Sequence, residues 1–185
     1  PRGPPRERRC GGTEVGPRHG GCGRGRQEKL AVNGRSSSGA VGAAVNIAVI
    51  TGFGQSSTIS NTSSSASATG IGPSSAYAGG IVGYQLNGVT NTNVAASGNV
   101  SAVSGAGGVA GIAVGFANPG NPSSTTSALI NASATGTVNG TTSVGGLVGF
   151  LGYNASVSQS YASGSVTGPD TVGALVGHGS ISTVA

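Results

Sequence analysis

The segment that decides the fold reads Val144-Gly145-Gly146-Leu147-Val148-Gly149, then Tyr161-Ala162-Ser163-Gly164-Ser165-Val166-Thr167, then Val172-Gly173-Ala174-Leu175-Val176-Gly177. A small or apolar residue, two small residues, two apolar residues and Gly form one motif, and Ala–Ser/Thr–Gly forms a second. The first recurs as Ala78-Gly79-Gly80-Ile81-Val82-Gly83 and Ala106-Gly107-Gly108-Val109-Ala110-Gly111. Val41-Gly42-Ala43-Ala44-Val45-Asn46 reads as a weaker copy, with Asn46 standing for a left-handed Gly. The second recurs at Ala68-Thr69-Gly70, Ala96-Ser97-Gly98 and Ala134-Thr135-Gly136.

Each second motif precedes the next first motif by the same ten positions: 68 to 78, 96 to 106, 134 to 144 and 162 to 172. The return steps, from 41 to 68, 78 to 96, 106 to 134 and 144 to 162, are alternately long and short. The basic period, that from 78 to 106 or 144 to 172, is about 28 residues, within the span typical of stacked repeats. Alternate units are lengthened by nine or ten. Ile47-Ala48-Val49 and Ile112-Ala113-Val114 fit a two-unit super-period. A repeat of this length indicates a stacked architecture, in which one unit buries its apolar side only against the next.

Composition chooses strands over helices. Gly supplies 37 of 185 residues, and each interior Gly costs a helix about 1 kcal/mol against Ala. Short Val, Ile, Ser and Thr runs bounded by Gly, Asn and Pro read as strands and turns. Collagen is excluded because Gly does not occupy every third position, and no run of eighteen apolar residues is present. The fold class expected is all-β: a parallel, right-handed β-helix, or β-solenoid, of about four 28-residue coils. The units are 41–77, 78–105, 106–143, 144–171 and a partial 172–185, with Gly giving positive φ at the turns. An open last coil would expose unpaired strand edges, which makes the chain prone to self-association. The natural protein is expected to extend beyond Ala185.

Charge splits the chain in two. All nine Lys and Arg and three of the four acidic residues lie within 1–35; beyond Ser36 the only formal charge is Asp170. The leader alone carries nine positive and three negative charges, a net +6, which Asp170 reduces to +5 for the chain; it is read as a basic, disordered or spurious segment followed by the solenoid at 36–185. Its charge would permit non-specific attraction to RNA or a membrane surface. Specific nucleic-acid binding is not expected, since the body has no basic face. Cys10 and Cys22, with His19 between them, lack paired zinc spacing.

Val144–Gly149, Ser160–Gly168 and Val172–Gly177 together resemble the GLUG repeats of large bacterial cell-surface and secreted proteins. These include haemagglutinin-like adhesins and immunoglobulin A-cleaving peptidases. The resemblance covers residues 78–177 well and 41–77 loosely, and departs at Asn46, at Ala174 and in the longer units. It implies an exported, surface-associated β-helical segment that is accessory rather than catalytic. The alternative is an accessory region of a secreted hydrolase whose catalytic domain lies elsewhere.

Residue chemistry agrees with a non-enzymatic reading, with no cofactor or metal. The body has one carboxylate, Asp170, after Pro169 in a turn, and one imidazole, His178, at the place of Tyr84, Ile112 and Phe150. Calcium rolls need Asp in nearly every coil, and Gly-Gly-x-x-Gly at constant offsets lacks the βαβ setting of a dinucleotide loop. An ice-binding solenoid would want a Thr ladder that the alignment does not contain. The Asn-x-Ser/Thr triplets at Asn61, Asn99, Asn131, Asn139 and Asn154 are what this composition produces by chance.

One binding hypothesis remains. Extra residues near Thr51–Ser60 and Phe116–Thr125 read as insertions on one side of the solenoid. They would present Phe53, Gln55, Phe116, Asn118 and Asn121 to host or cell-surface glycans or proteins, aromatic rings beside amides. Loop expansion without a ligand explains the same residues.

Overall fold

A computed structural model describes residues 13–16, 19–20, 24–28, 31–34, 36–43, 45–72, 76–115 and 125–185. Among these residues every element is a strand, and every strand pairing is parallel. The chain winds through three strand positions in turn and returns one layer further on. The first sheet stacks Ala40–Ala43, Ser67–Gly70, Val100–Ala102, Val138–Gly140 and Val166–Thr167. The second stacks Asn46–Ala48, Tyr77–Gly79, Gly105–Gly107, Val144–Gly145 and Val172–Gly173. The third is wider. One half holds Thr51–Gln55, Val82–Leu86 and Ala110–Val114, the other Thr58–Ser64, Thr90–Ala96 and Ser127–Ala134; Val148–Ser158 joins the halves and Val176–Val184 follows it. This is the β-solenoid expected from the repeat.

Parallel strands without helical crossovers bury their apolar residues inward, so each interior position becomes a column through the stack. Thr51, Val82, Ala110, Val148 and Val176 form one such column. Val41, Ala68, Val100, Val138 and Val166 form another. Two clusters result. One centres on Ile50, Ile81, Val109, Leu147, Leu129 and Leu151, the other on Ile47, Val49, Val100, Val138 and Val144. The interior also holds a polar pair: Asn91 donates to Gln85 Oε1, while Gln85 Nε2 donates to Val89 O at 2.8 Å. Both side chains are fully buried, so each needs the other.

The motif glycines are set by proximity rather than by backbone handedness. A Cβ at Gly107 would overlap Ala110 O and lie 2.6 Å from Gly149 N; at Gly83 it would lie 2.6 Å from Ile47 N. The glycines of these columns do not have positive φ, contrary to the expectation from the turns. Among the described residues Asn holds five left-handed positions instead. Asn61 (φ 48), Asn93 (φ 55) and Asn131 (φ 52) occupy one bend in successive coils, with Gln159 (φ 51) next. Their amides form a ladder: Asn61 Nδ2 donates to Asn33 Oδ1 at 3.0 Å, Asn93 Nδ2 to Asn61 Oδ1 at 3.0 Å, and Asn131 Nδ2 to Asn93 Oδ1 at 2.7 Å. Asn tolerates this backbone region better than most residues and satisfies its own amide by stacking.

Several alignments of the first unit are corrected. The copy of the first motif is Ile47-Ala48-Val49-Ile50-Thr51-Gly52, since Ile47 pairs Ala78 and Thr51 pairs Val82. Val41 and Asn46 do not hold the motif's first and last places. Ala68 pairs Val100; the partner of Ala96 is Ser64. Ile112 pairs Tyr84 and Phe150, so Ile47 and Ile112 are not equivalents. Nor do coil lengths alternate. Along the first-sheet column the steps from Val41 to Ala68 and from Val138 to Val166 are short, that from Ala68 to Val100 is longer, and that from Val100 to Val138 is longest. The two longer coils expand at different corners, between Gly70 and Tyr77 and between Val114 and Ser127.

Within the leader, Thr13–Gly16, His19–Gly20, Arg24–Glu28 and Ala31–Asn33 pair the next coil at one constant offset. Cys10 and Cys22 lie outside the described residues.

Two contrasts test this account. Gly107→Ala should cost about 2–3 kcal/mol through overpacking, whereas Gly54→Ala, whose Cβ would meet nothing nearer than 3.7 Å, should be neutral or slightly stabilising in urea unfolding. Asn93→Ala should lose about 2 kcal/mol, from two ladder bonds and a left-handed backbone, and Asn93→Gly should lose less. Equal losses for the two Asn93 variants would show that the backbone contributes nothing there.

Candidate functional site: an aromatic column on the outer face

The third sheet carries an outward column of aromatic side chains. On Thr51–Gln55, Thr51 and Gly54 are buried while Phe53 and Gln55 are partly exposed. Strand pairing places Tyr84, Ile112, Phe150 and His178 in register with Phe53, one from each later coil. Adjacent coils lie about 4.8 Å apart, so large flat side chains in one column must stack. Phe53 and Tyr84 do so with centroids 5.5 Å apart and an 18° interplanar angle, and Phe150 and His178 at 5.2 Å and 10°. Ile112 lies between the two pairs.

Tyr77, from the second sheet, meets Tyr84 edge-on at 5.7 Å and 71°. The next residue in its own column is Gly105, where a Cβ would come within 3.0 Å of the Tyr77 ring. Burial, and secondarily the neighbouring Tyr77 hydroxyl, raises the Tyr84 pKa above the usual 10.0. Beside this column runs a second of Gln55, Leu86, Val114, Gly152 and Ser180.

Phe53 and Gln55, expected on an inserted loop, therefore lie on a paired strand. Their equivalents are Tyr84 and Leu86, and the coil has no insertion at 51–60. Phe116, Asn118 and Asn121 lie outside the described residues; they belong to the extra segment between Val114 and Ser127, where an insertion was expected. His178 takes the aromatic place assigned to it from the repeat, and Asp170 is exposed at the bend after Pro169. No group of three His, Cys, Asp or Glu gathers among the described residues.

The chemistry of the column is apolar contact and edge-on polarity. Stacked rings use their faces on one another, so the surface offers ring edges and the Tyr hydroxyls. The sequence reading missed the asparagine ladder. Its signal was available: Asn93, Asn131 and Gln159 each precede Ala96, Ala134 and Ala162 by three positions, and Asn61 precedes Ser64 likewise.

Among known families, the GLUG motif matches residues 140–167. That span is one coil, from the end of one first-sheet strand, Val138–Gly140, to the end of the next, Val166–Thr167. No curated protein and no solved structure matches the chain.

Neutral Tyr84 ties ionisation to stability. Its raised folded pKa means that the stabilisation is complete below 10.0 and is lost as pH rises through the higher folded value. Tyr84→Phe should therefore flatten the alkaline fall of the urea midpoint; an unchanged fall would exclude Tyr84 as its source.

Proposed function

We propose that this chain is a rigid, non-catalytic repeat segment of an exported bacterial surface protein, acting as a stalk and adhesive surface outside the cell. The observation that carries the reading is the match between the GLUG motif and a single coil paired in parallel with its neighbours. A stack of that kind adds length coil by coil, with little charge and no cysteine beyond residue 35, which suits a spacer held away from a membrane. The resemblance to repeats of surface and secreted proteins supplies the setting. The outer face presents apolar and hydroxyl-bearing side chains to solvent, so contact with host or neighbouring-cell glycans or proteins is the corresponding activity.

Display of residues 36–185 on a non-adherent bacterium tests this. Displaying cells should be retained under flow on mucin or fibronectin layers well above cells carrying an unrelated spacer of equal length. Retention no greater than the spacer's would reject adhesion.

A further inference from the structure

A groove of about 360 Å³ lies where the third sheet bends toward the first. Two outward rows border it. In one, Ser63, Ala95 and Ser133 stand in register and lead to Tyr161. In the other are Ser65, Ser97 and Thr135, one residue past the buried Ser64, Ala96 and Ala134. The Ser65 hydroxyl donates to Ser37 O at 3.3 Å and the Ser97 hydroxyl to Ser64 O at 3.4 Å, so both oxygens keep lone pairs for accepting. Tyr161 puts an outward ring on the rung after Ser133, in a row of small side chains.

From these features we infer that the groove binds a neutral oligosaccharide laid along the solenoid axis. Among the described residues no charged side chain lines it, so an ionic ligand would find no counter-charge there. A wholly apolar ligand would leave the accepting capacity of these hydroxyls unused and cover it from water, whereas a hydroxyl-bearing one would meet it. A sugar chain presents hydroxyls at its edges and C–H groups on its ring faces. The first match the Ser and Thr rows; the second match the Ala95 methyl and the Tyr161 ring. Hydroxyls recur here at the coil spacing of about 4.8 Å, so successive sugar rings meet equivalent rungs. The volume falls at the small end of the roughly 300–1,000 Å³ typical of small-molecule sites, which suits a short oligosaccharide. The stacked column at Phe53 and Tyr84 is the poorer platform, because its rings already occupy each other's faces.

This inference deepens the adhesive reading, on which its biological use rests, but its test needs no cell. Isotope-labelled protein of residues 1–185 is titrated with maltotetraose, cellotetraose, chitotetraose and sialyllactose. At least one neutral sugar should shift the amides of 63–65, 95–97, 133–135 and 161 saturably. Tyr161→Ala should weaken binding about three- to tenfold, in keeping with an aromatic contact of about 0.5–1.5 kcal/mol. Ala95→Leu, at an exposed position, should block binding while leaving the urea midpoint unchanged. The inference is overturned by shifts from none of the four sugars, by shifts centred on the Phe53–Tyr84 column, by preference for the acidic sugar, or by undiminished binding in Ala95→Leu. Binding here without retention under flow would remove adhesion and leave the groove; retention without binding would do the reverse.

Discussion

Everything in this molecule depends on how closely one coil can approach the next. Parallel strands hydrogen-bond at one spacing, about 4.8 Å, and the chain must keep that spacing through every corner as well as along each strand. At corners the backbone of one layer lies almost on that of another: Gly80 N donates to Gly108 O at 3.0 Å, and Gly108 N to Gly146 O at 3.2 Å. A Cβ at Gly108 would overlap both Gly146 O and the Ala134 methyl. Columns of Gly are the physical answer, and they account for the composition better than flexibility does. In the next coil Ala174 takes the place of Gly.

Close approach also limits the core. Coils this tight leave a thin interior, filled by Val, Ile, Leu and Ala in two clusters, with no aromatic ring among the described residues of either. Aromatic residues are pushed to the outer face, where stacking between layers costs no interior volume. The buried Gln85–Asn91 pair is a polar break in this aliphatic interior. Its register partners are Gly54 and Ala113 for Gln85, and Ile59 and Leu129 for Asn91. The two amides belong to one coil, six residues apart, so they pair within their layer while the layers on either side present only Gly or aliphatic side chains at the same places.

This explains what was legible in the sequence. The later coils were legible because Gly pairs and Ala–Ser/Thr–Gly are forced there by contact, so the constant offsets after 96, 134 and 162 are real. The first coil misled because small residues are interchangeable outside those contacts. Ala68-Thr69-Gly70 imitates the second motif four positions too late, and an equal expansion before Tyr77 restores the apparent offset. The true equivalents, Ser64-Ser65-Ala66, show no motif at all, since Ser and Ala fit the space that Ala and Gly fill elsewhere. Phe53 and Gln55 were misplaced for the same reason: shifting the first coil moves a strand into the position of a loop. The asparagine ladder was readable by its offset of three, but a search tuned to Gly and apolar residues passes over Asn.

The two outward surfaces differ in what they leave unsatisfied, and that difference decides which can act on another molecule. Along the Phe53 column the demand for contact is met internally: rings stack on rings, and Tyr77 closes against Tyr84. A partner would gain only edges there. Along the row from Ser63 to Ser133 the side chains are too short to cover their own layer, so the corner stays concave, and Tyr161 stands outward on the next rung. The same smallness that lets coils pack closely at their corners thus leaves a groove on the outside. In a repeat built by stacking, a concave outer surface needs no dedicated loop; small hydroxyl-bearing residues in register beside one ring are enough to make one.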